Sequence, residues 1–237
     1  MKIMNSKKEK TKELEEYYTE VQLNLVDKIE LFDKLKEEDI KTVSGIDLAY
    51  WKEKGIDYAV CCIVTINYHS KEIIEIQSLA GKIDVPYIPG YLSFRELPLI
   101  INTYKQLELN TDLIMFDGNG YLHYRNMGIA THASFYLNKP TIGIAKSYLK
   151  VDNVDYVMPE NQDGAYTDIM IGGKIYGRAV RTHKDVKPIF VSCGNWITLD
   201  TSTNITLNLV DRDSRQPLPT RLADIETRKQ RKIINGI

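Results

Sequence analysis

Three acidic residues of this sequence could act together on a substrate: Asp47, Glu96 and Asp117. Asp47 lies in the middle of the strand-like segment Val43–Tyr50, where an unpaired buried charge would be costly. Asp117 follows the apolar segment Leu113–Phe116 and precedes a Gly-Asn-Gly loop. Because α/β proteins build sites at the carboxyl ends of such strands, the carboxylates could meet at one sheet edge. They would then provide the oxygen ligands that Mg²⁺ and Mn²⁺ prefer.

A metal site of this kind is suited to phosphodiester hydrolysis. Metal-bound water loses its proton more readily, and the ion stabilises the developing oxyanion and the leaving group. His123 and Lys146 could each lie near the carboxylates, although a lone His or Lys is more often structural or solvated. Each carboxylate also has a simpler explanation. Asp47 could pair with a surface lysine, Asp117 could serve a glycine turn, and Glu96 could be favoured by a helix dipole.

The segment Val85–Tyr91 predicts a stiff loop, because Pro86 and Pro89 fix φ around Tyr87 and Ile88. A rigid loop tipped with an aromatic and an aliphatic side chain could enter a base stack. Proteins that extract a base from a duplex use such wedges to offset the cost of unstacking. The alternative is an ordinary proline-rich connection packed on the core.

Around these residues the hydrophobic pattern predicts an α/β fold with a mixed sheet flanked by N-terminal and C-terminal helices. Apolar residues at three- and four-residue steps from Leu14 to Phe32 predict a long amphipathic helix. Three β-rich segments then predict an antiparallel meander, and later strands that alternate with helices predict parallel crossovers. The expected strands are Thr42–Tyr50, Tyr58–Asn67, Glu72–Leu79, Leu113–Phe116, Thr141–Ala145, Tyr166–Ile171, Ile175–Arg181 and Pro188–Ser192. The later helices are expected at Ser93–Leu107, Arg125–Leu137, Leu199–Leu209 and Pro219–Ile234.

The composition suits one globular domain over residues 1–237, with residues 1–40 packed on it as a helix. Hydrophobic residues make up 43% and charged residues 27% of the chain. With a formal net charge of -1, a polyanionic partner would have to bind a local cluster of Lys and Arg. Three cysteines without a Cys-x-x-Cys pair favour a reducing compartment. No signal peptide or membrane-length apolar run is visible, so we expect a cytoplasmic protein without a membrane partner, and a monomer by default.

The order and spacing of these segments resemble the endonuclease V family, also called deoxyinosine 3′-endonucleases, from about Val43 to Asp224. Each fragment alone is weak, but the ordered set is very specific. The matching segments are Ser44–Asp47, Pro86–Gly90, Ser93–Glu96, Asp117–Gly120, Pro140–Ser147, Tyr176–Thr182, Lys187–Ser192 and Leu218–Asp224.

The resemblance implies a ribonuclease H-like fold and a Mg²⁺-dependent endonuclease in which Mn²⁺ can substitute. It implies that Asp47, Glu96 and Asp117 bind the metal and act in catalysis, with His123 and Lys146 assisting at the phosphate. It also implies a wedge in which Tyr87 fills the gap left by a flipped hypoxanthine. The residues implied to bind substrate are Pro86, Tyr87, Ile88, Pro89, Gly90, Gly118, Gly120 and Gly128.

The implied reaction is a DNA repair step at deoxyinosine, which is deaminated adenine. It hydrolyses the second phosphodiester bond 3′ to the lesion and leaves 3′-hydroxyl and 5′-phosphate ends. The alternatives are the same chemistry on inosine-containing RNA, and an inosine-binding protein with weakened catalysis. That last hypothesis rests on Asn195, which stands where the family usually has a histidine. Unlike histidine, asparagine cannot take a proton. Tyr124 replaces a common proline, which puts the shape of its loop in question.

Overall fold

The computed structural model of the protein describes residues 2–236, with side chains described from residue 11 onward. Within these residues the chain forms eight strands and five α-helices. The strands are β1 (Thr42–Glu53), β2 (Ile56–Asn67), β3 (Ile73–Lys82), β4 (Leu113–Asp117), β5 (Thr141–Ala145), β6 (Tyr166–Ile171), β7 (Lys174–Val180) and β8 (Ile189–Asn195). The helices are α1 (Lys2–Val26), α2 (Leu92–Tyr104), α3 (Ile129–Leu137), α4 (Leu199–Asn208) and α5 (Leu218–Asn235).

The strands form one mixed sheet in the order β3-β2-β1-β4-β5-β8-β7-β6. The first three strands are an antiparallel meander, β4 and β5 run parallel to β1, and the last three strands pair antiparallel. Positive φ at Lys54–Gly55 and at Gly172–Gly173 provides the backbone that two-residue hairpins need. The expected mixed sheet, its initial meander and the Gly172–Gly173 hairpin are confirmed.

Helices cover both faces of the sheet, and alternate residues of a strand face opposite sides. Val43 and Met115 pack in the cluster beneath α4 and α5, whereas β1 and β4 residues of the other parity pack beneath α2 and α3. Asp47 and Asp117 are even steps from Val43 and Met115. Both carboxylates therefore lie on the face that α5 covers.

α5 lies close to β1 because β1 carries Gly45. A Cβ at Gly45 would be 2.1 Å from the backbone of Pro219, near the start of α5. Any larger residue would push the helix away, which is why a glycine is needed where a backbone approaches a strand. This approach brings Thr227 Oγ1 to 3.2 Å from Asp47 Oδ2. The Ser44–Asp47 segment thus forms part of β1 and also allows α5 to pack closely on it.

The loop before α3 is longer than the hydrophobic pattern predicts. The helix expected at Arg125–Leu137 begins at Ile129, and residues 121–128 form a compact loop. The Gly128 N–H donates to the Gly120 carbonyl at 3.0 Å and closes this loop. The expected helix start was wrong because the spacing of apolar residues does not reveal a turn that depends on glycine.

The N-terminal helix ends earlier than expected. α1 ends at Val26, whereas the apolar periodicity continues to Phe32, whose side chain is half exposed. After the helix the chain is tied to the end of β8, where Trp196 N–H donates to the Glu30 carbonyl at 2.7 Å. Within the described part of the chain, no helix is long and apolar enough to cross a membrane.

Candidate active site

Asp47 and Asp117 are neighbours on adjacent strands. Ile46 of β1 is in parallel register with Phe116 of β4, so the residues that follow lie side by side. Asp117 ends β4, and Lys146 follows the end of β5, the next strand in the sheet. Lys146 Nζ lies 2.5 Å from Asp117 Oδ2. The fold therefore brings together three of the residues expected to act in catalysis.

A fourth carboxylate, Asp224, joins this group from α5, although it was not among the expected site residues. Asp224 Oδ2 lies 3.9 Å from Lys146 Nζ. Arg228, one turn later, donates to both oxygens of this carboxylate at 3.0 and 2.7 Å. The signal in the sequence is spacing, because Asp224 falls between Thr220 and Thr227 on the buried face of α5. An acidic residue at such a position needs a partner.

Glu96 lies near the start of α2, and the Tyr50 hydroxyl donates to its Oε1 at 2.6 Å. Burial raises the pKa of Glu96 to about 7, and the negative charges of Asp47 and Asp117 contribute. Burial also raises the pKa of Asp47 to about 6, with further contributions from Asp117 and Asp224. Burial is the main cause of both shifts, and repulsion between the carboxylates adds to it.

The four carboxylates suit a divalent cation by their chemistry, since Mg²⁺ and Mn²⁺ prefer hard oxygen ligands and surplus negative charge favours them. As the side chains stand, no three His, Cys, Asp or Glu side chains among the described residues are arranged to hold a metal ion. The Lys146 ammonium contacts Asp117 instead. A cation would therefore bind only with local rotation of these side chains.

Replacing Glu96 with glutamine should stabilise the metal-free fold at neutral and higher pH. Because the pKa of Glu96 is raised from 4.5 to about 7 in the folded protein, its ionised form destabilises the native state above pH 7. Below pH 4.5 the group is protonated in both states, and this cost is absent. We expect Glu96→Gln to raise the free energy of unfolding by on the order of 1–3 kcal/mol above pH 7.

Urea unfolding in EDTA, repeated across this pH range, measures the effect. The gain should shrink steadily as the pH falls from about 7 towards 4.5. Glu108→Gln, which makes the same change at an exposed position, should give little gain at any pH. A gain from Glu96→Gln that does not depend on pH would show that the buried charge is not its cause.

A pocket of about 260 Å³ opens beside the carboxylates. Its volume is just below the ~300–1,000 Å³ range of small-molecule sites, which suits a ligand the size of one base. The pocket wall begins directly after Asp117, because Gly118 follows it in the chain. Five residues expected to bind substrate line the pocket: Tyr87, Pro89, Gly90, Gly118 and Gly128.

The other residues expected to bind substrate, Pro86, Ile88 and Gly120, are not in the pocket wall. Tyr87 is 64% exposed, whereas Ile88 is 7% exposed and packs inward. The expected tip of two apolar side chains is therefore corrected to Tyr87 alone, with Ile88 anchoring the loop. Gly120 lies behind the pocket, where a Cβ would be 2.1 Å from the Cys193 carbonyl oxygen.

His123 and Tyr124 lie in the pocket wall rather than among the carboxylates. Burial lowers the pKa of His123 to about 4, and the charge of Arg125 contributes, so the ring is neutral near pH 7. A neutral ring can hydrogen-bond a base but offers no positive charge to a phosphate, and its assistance at the phosphate stays a prediction. Tyr124 is half exposed, and its ring packs beside Gly90 at the pocket mouth.

Asn195 is distant from the carboxylates. It pairs with Thr141, the first residue of β5, whereas Lys146 follows the other end of that strand. The Asn195 Oδ1 accepts hydrogen bonds from the N–H groups of Glu30 and Trp196 at 2.8 and 3.1 Å. The expectation that Asn195 leaves the site without an assisting group is corrected. This residue joins the segment after α1 to the sheet, and its effect on catalysis stays a prediction.

The sequence is similar to that of known proteins along nearly its whole length. The family model described as endonuclease V matches residues 23–225. The endonuclease V of Bacillus thuringiensis subspecies konkukian is 56% identical over 232 residues, which cover 98% of each chain.

Solved structures agree with the sequence comparison. The crystal structure of endonuclease V from Bacillus subtilis is similar at 54% identity and a TM-score of 0.91, with 94% of each chain covered. Ciona intestinalis endonuclease V, in complex with a 24-mer DNA containing an inosine followed by a ribo-adenosine, is similar at 28% identity and a TM-score of 0.84, covering 94% of this chain and 99% of that one. The expected ribonuclease H-like fold is confirmed. Sequence and structure agree along nearly the whole length, and this chain belongs to the endonuclease V family.

Proposed function

We propose that this protein is a metal-dependent endonuclease that recognises deoxyinosine in DNA and cuts the strand on the 3′ side of the lesion. The observation that carries the proposal is the continuity of two sites. Asp117 belongs to the carboxylate group, and Gly118, the next residue, lines the base-sized pocket. One nucleotide bound in the pocket would thus hold its own strand beside groups suited to phosphodiester hydrolysis.

The metal is part of the proposal, with Asp47, Glu96, Asp117 and Asp224 as its ligands. A bound Mg²⁺ or Mn²⁺ would supply an acidified water and positive charge at the phosphate. Lys146 would then be free to pair with a phosphate oxygen, because the cation would replace it as the partner of Asp117. Repulsion between the carboxylates, which adds to the effect of burial on the pKa values of Asp47 and Glu96, supports this proposal because a bound cation would relieve it.

The pocket and the exposed Tyr87 support recognition of a base outside the helical stack. Enzymes that act on a base in a duplex extrude it into a closely fitting pocket, and an inserted side chain offsets the lost stacking. Tyr87 projects beside the pocket that would hold the base. The Ciona relative was crystallised with inosine-containing DNA, which supports the same substrate class here.

We infer that the cut falls at the second phosphodiester bond 3′ to the inosine and leaves 3′-hydroxyl and 5′-phosphate ends, as the family resemblance implies. A second candidate is inosine-containing RNA. The DNA bound by the Ciona relative carries one ribo-adenosine after the inosine, and this observation keeps RNA as a candidate.

The test compares two strands of one sequence, as DNA and as RNA, each with a single inosine or with adenosine at the same position. We expect nicking of the inosine strand in Mg²⁺ or Mn²⁺, none of the adenosine strand, and full loss in EDTA that added Mg²⁺ reverses. The DNA-to-RNA rate ratio identifies the polymer. Equal cutting of the adenosine strand, or cutting that EDTA leaves unchanged, would contradict the proposal.

A further inference from the structure

Gln22 of α1 contacts both loops that form the pocket. Its side chain is fully buried. Its Nε2 donates to the carbonyl of Gly90, on the loop that carries Tyr87, and to the carbonyl of Met127, on the loop before α3, at 3.3 Å each. Gly90 and Met127 both line the pocket. One amide group therefore bridges two walls that belong to separate parts of the chain.

Arg125 reinforces the same bridge. Its Nε donates to Gln22 Oε1 at 2.5 Å, and its terminal nitrogen donates to the Gly90 carbonyl at 2.9 Å. The guanidinium lies 4.4 Å from the ring centre of Tyr91, whose hydroxyl is 2.6 Å from Thr19 Oγ1 on α1. The Gly90 carbonyl is thus held by two side chains. Because Gly90 has a φ of +84°, these contacts fix the direction of a turn that a glycine could otherwise vary.

The simpler explanation is that Gln22 only attaches α1 to the rest of the protein. The hydrogen bonds of Gln22 do more than attach the helix, because both carbonyl groups that accept from it belong to residues that line the pocket. Apolar attachment of α1 is already provided by Tyr18, which stacks on Phe94 with 3.9 Å between ring centres. The family match begins at residue 23, so Gln22 stands just outside it.

We propose that Gln22 is a positioning residue for lesion recognition, which sets the separation of the two pocket walls and so the preference for inosine over adenosine. The inference rests on the proposed function, in that the pocket must be where the base binds. It gives α1 a part in specificity beyond covering the core. Selective binding depends on preformed polar geometry. Loosening the two walls should therefore weaken binding of the inosine base more than binding of the rest of the strand.

The test measures dissociation constants for inosine-containing and adenosine-containing DNA in EDTA, where cutting is prevented. Gln22→Leu removes all three hydrogen bonds of the amide at similar size. We expect the ratio of the two dissociation constants to fall roughly tenfold, which corresponds to the loss of about one net hydrogen bond. Binding to the adenosine strand should change little. With metal restored, single-turnover nicking at saturating protein should stay close to the wild-type rate, because the carboxylates are untouched.

Two further variants keep the result decisive. Thr206→Val removes one buried hydrogen bond within α4, outside the pocket wall, and it should leave the preference intact whatever stability it loses. Arg125→Met removes the second contact to Gly90 at a partly exposed site, and it should lower the preference even if Gln22→Leu does not fold. Folded Gln22→Leu or Arg125→Met protein with the wild-type preference would overturn the inference while the proposed function stands. A wild-type protein without preference for inosine would overturn both.

Discussion

Replacing Asp47 with asparagine should reduce nicking of an inosine-containing strand by at least roughly 10³-fold in kcat, the upper end of the loss when one preorganised electrostatic group is removed. Asparagine keeps the size of the side chain and can still accept the hydrogen bond from Thr227. What it removes is one negative charge from a group that also contains Asp117 and Asp224. In the proposed reaction that charge is needed to bind the cation, and no neighbouring carboxylate can replace it at the same position.

Single-turnover nicking in Mg²⁺, with protein in excess, isolates this effect from binding. The matched control is Asp168→Asn, which makes the same change to a carboxylate on β6 that is paired with Arg178. It should retain nicking near the wild-type rate. Affinity for the inosine strand in EDTA should be similar or slightly higher for Asp47→Asn, since a negative charge near the phosphates is lost. Nicking by Asp47→Asn at a rate close to that of wild type would refute the assignment of this carboxylate.

Much of the site followed from sequence because its residues lie on neighbouring strands. Strand alternation fixes which residues share a face, so Asp47 and Asp117 had to meet once β1 and β4 were paired. Lys146 is placed by the same rule, since it directly follows the end of the next strand of the sheet. The resemblance supplied Glu96, whose helical position by itself had an adequate explanation in the helix dipole.

The residues that sequence did not place depend on contacts between elements distant in the chain. Asp224 reaches the carboxylates only because α5 crosses β1 at Gly45, and helix periodicity alone cannot predict that crossing. In the sequence, Gln22 is an ordinary polar residue of an amphipathic helix. Its role becomes visible only in the fold, where the carbonyl groups of Gly90 and Met127 lie against it. Tyr87 and its neighbour Ile88 both carry large hydrophobic groups, and the local sequence does not decide which of the two side chains packs inward.

Asn195 is the opposite case, because its departure from the family pattern predicts a change in the site while the side chain lies elsewhere. The pattern gives the order of residues along the chain but not the end of the strand at which each side chain lies. Register decides this point, because pairing of Asn195 with Thr141 puts it at the other end of β5 from Lys146. The position of a side chain in the sheet, and not its order in the family pattern, therefore decides whether it can act at the carboxylates.

Asp224→Asn is the second change with a large expected effect, and it tests the residue that only the structure assigned to the site. We expect nicking to fall by roughly 10²-fold or more in kcat, because the variant removes a carboxylate 3.9 Å from Lys146. The change also breaks the paired hydrogen bonds with Arg228, so a loss of activity could come from a disturbed α5. The comparison must separate the charge of Asp224 from that ion pair.

Arg228→Gln makes this separation, since it removes the ion pair and leaves the carboxylate in place. Arg228 is largely exposed but Asp224 is only 18% exposed, so the stability of Arg228→Gln is measured by urea unfolding beside its activity. Asp211→Asn removes a pair that joins the segment after α4 to Arg221 of α5, and it serves as the control for an Asp-to-Asn change that breaks an ion pair. If Asp224 acts through its charge, Asp224→Asn alone should lose nicking at every Mg²⁺ concentration up to saturation. Equal losses in Asp224→Asn and Arg228→Gln would mean instead that Asp224 supports α5, and that the cation is held by Asp47, Glu96 and Asp117.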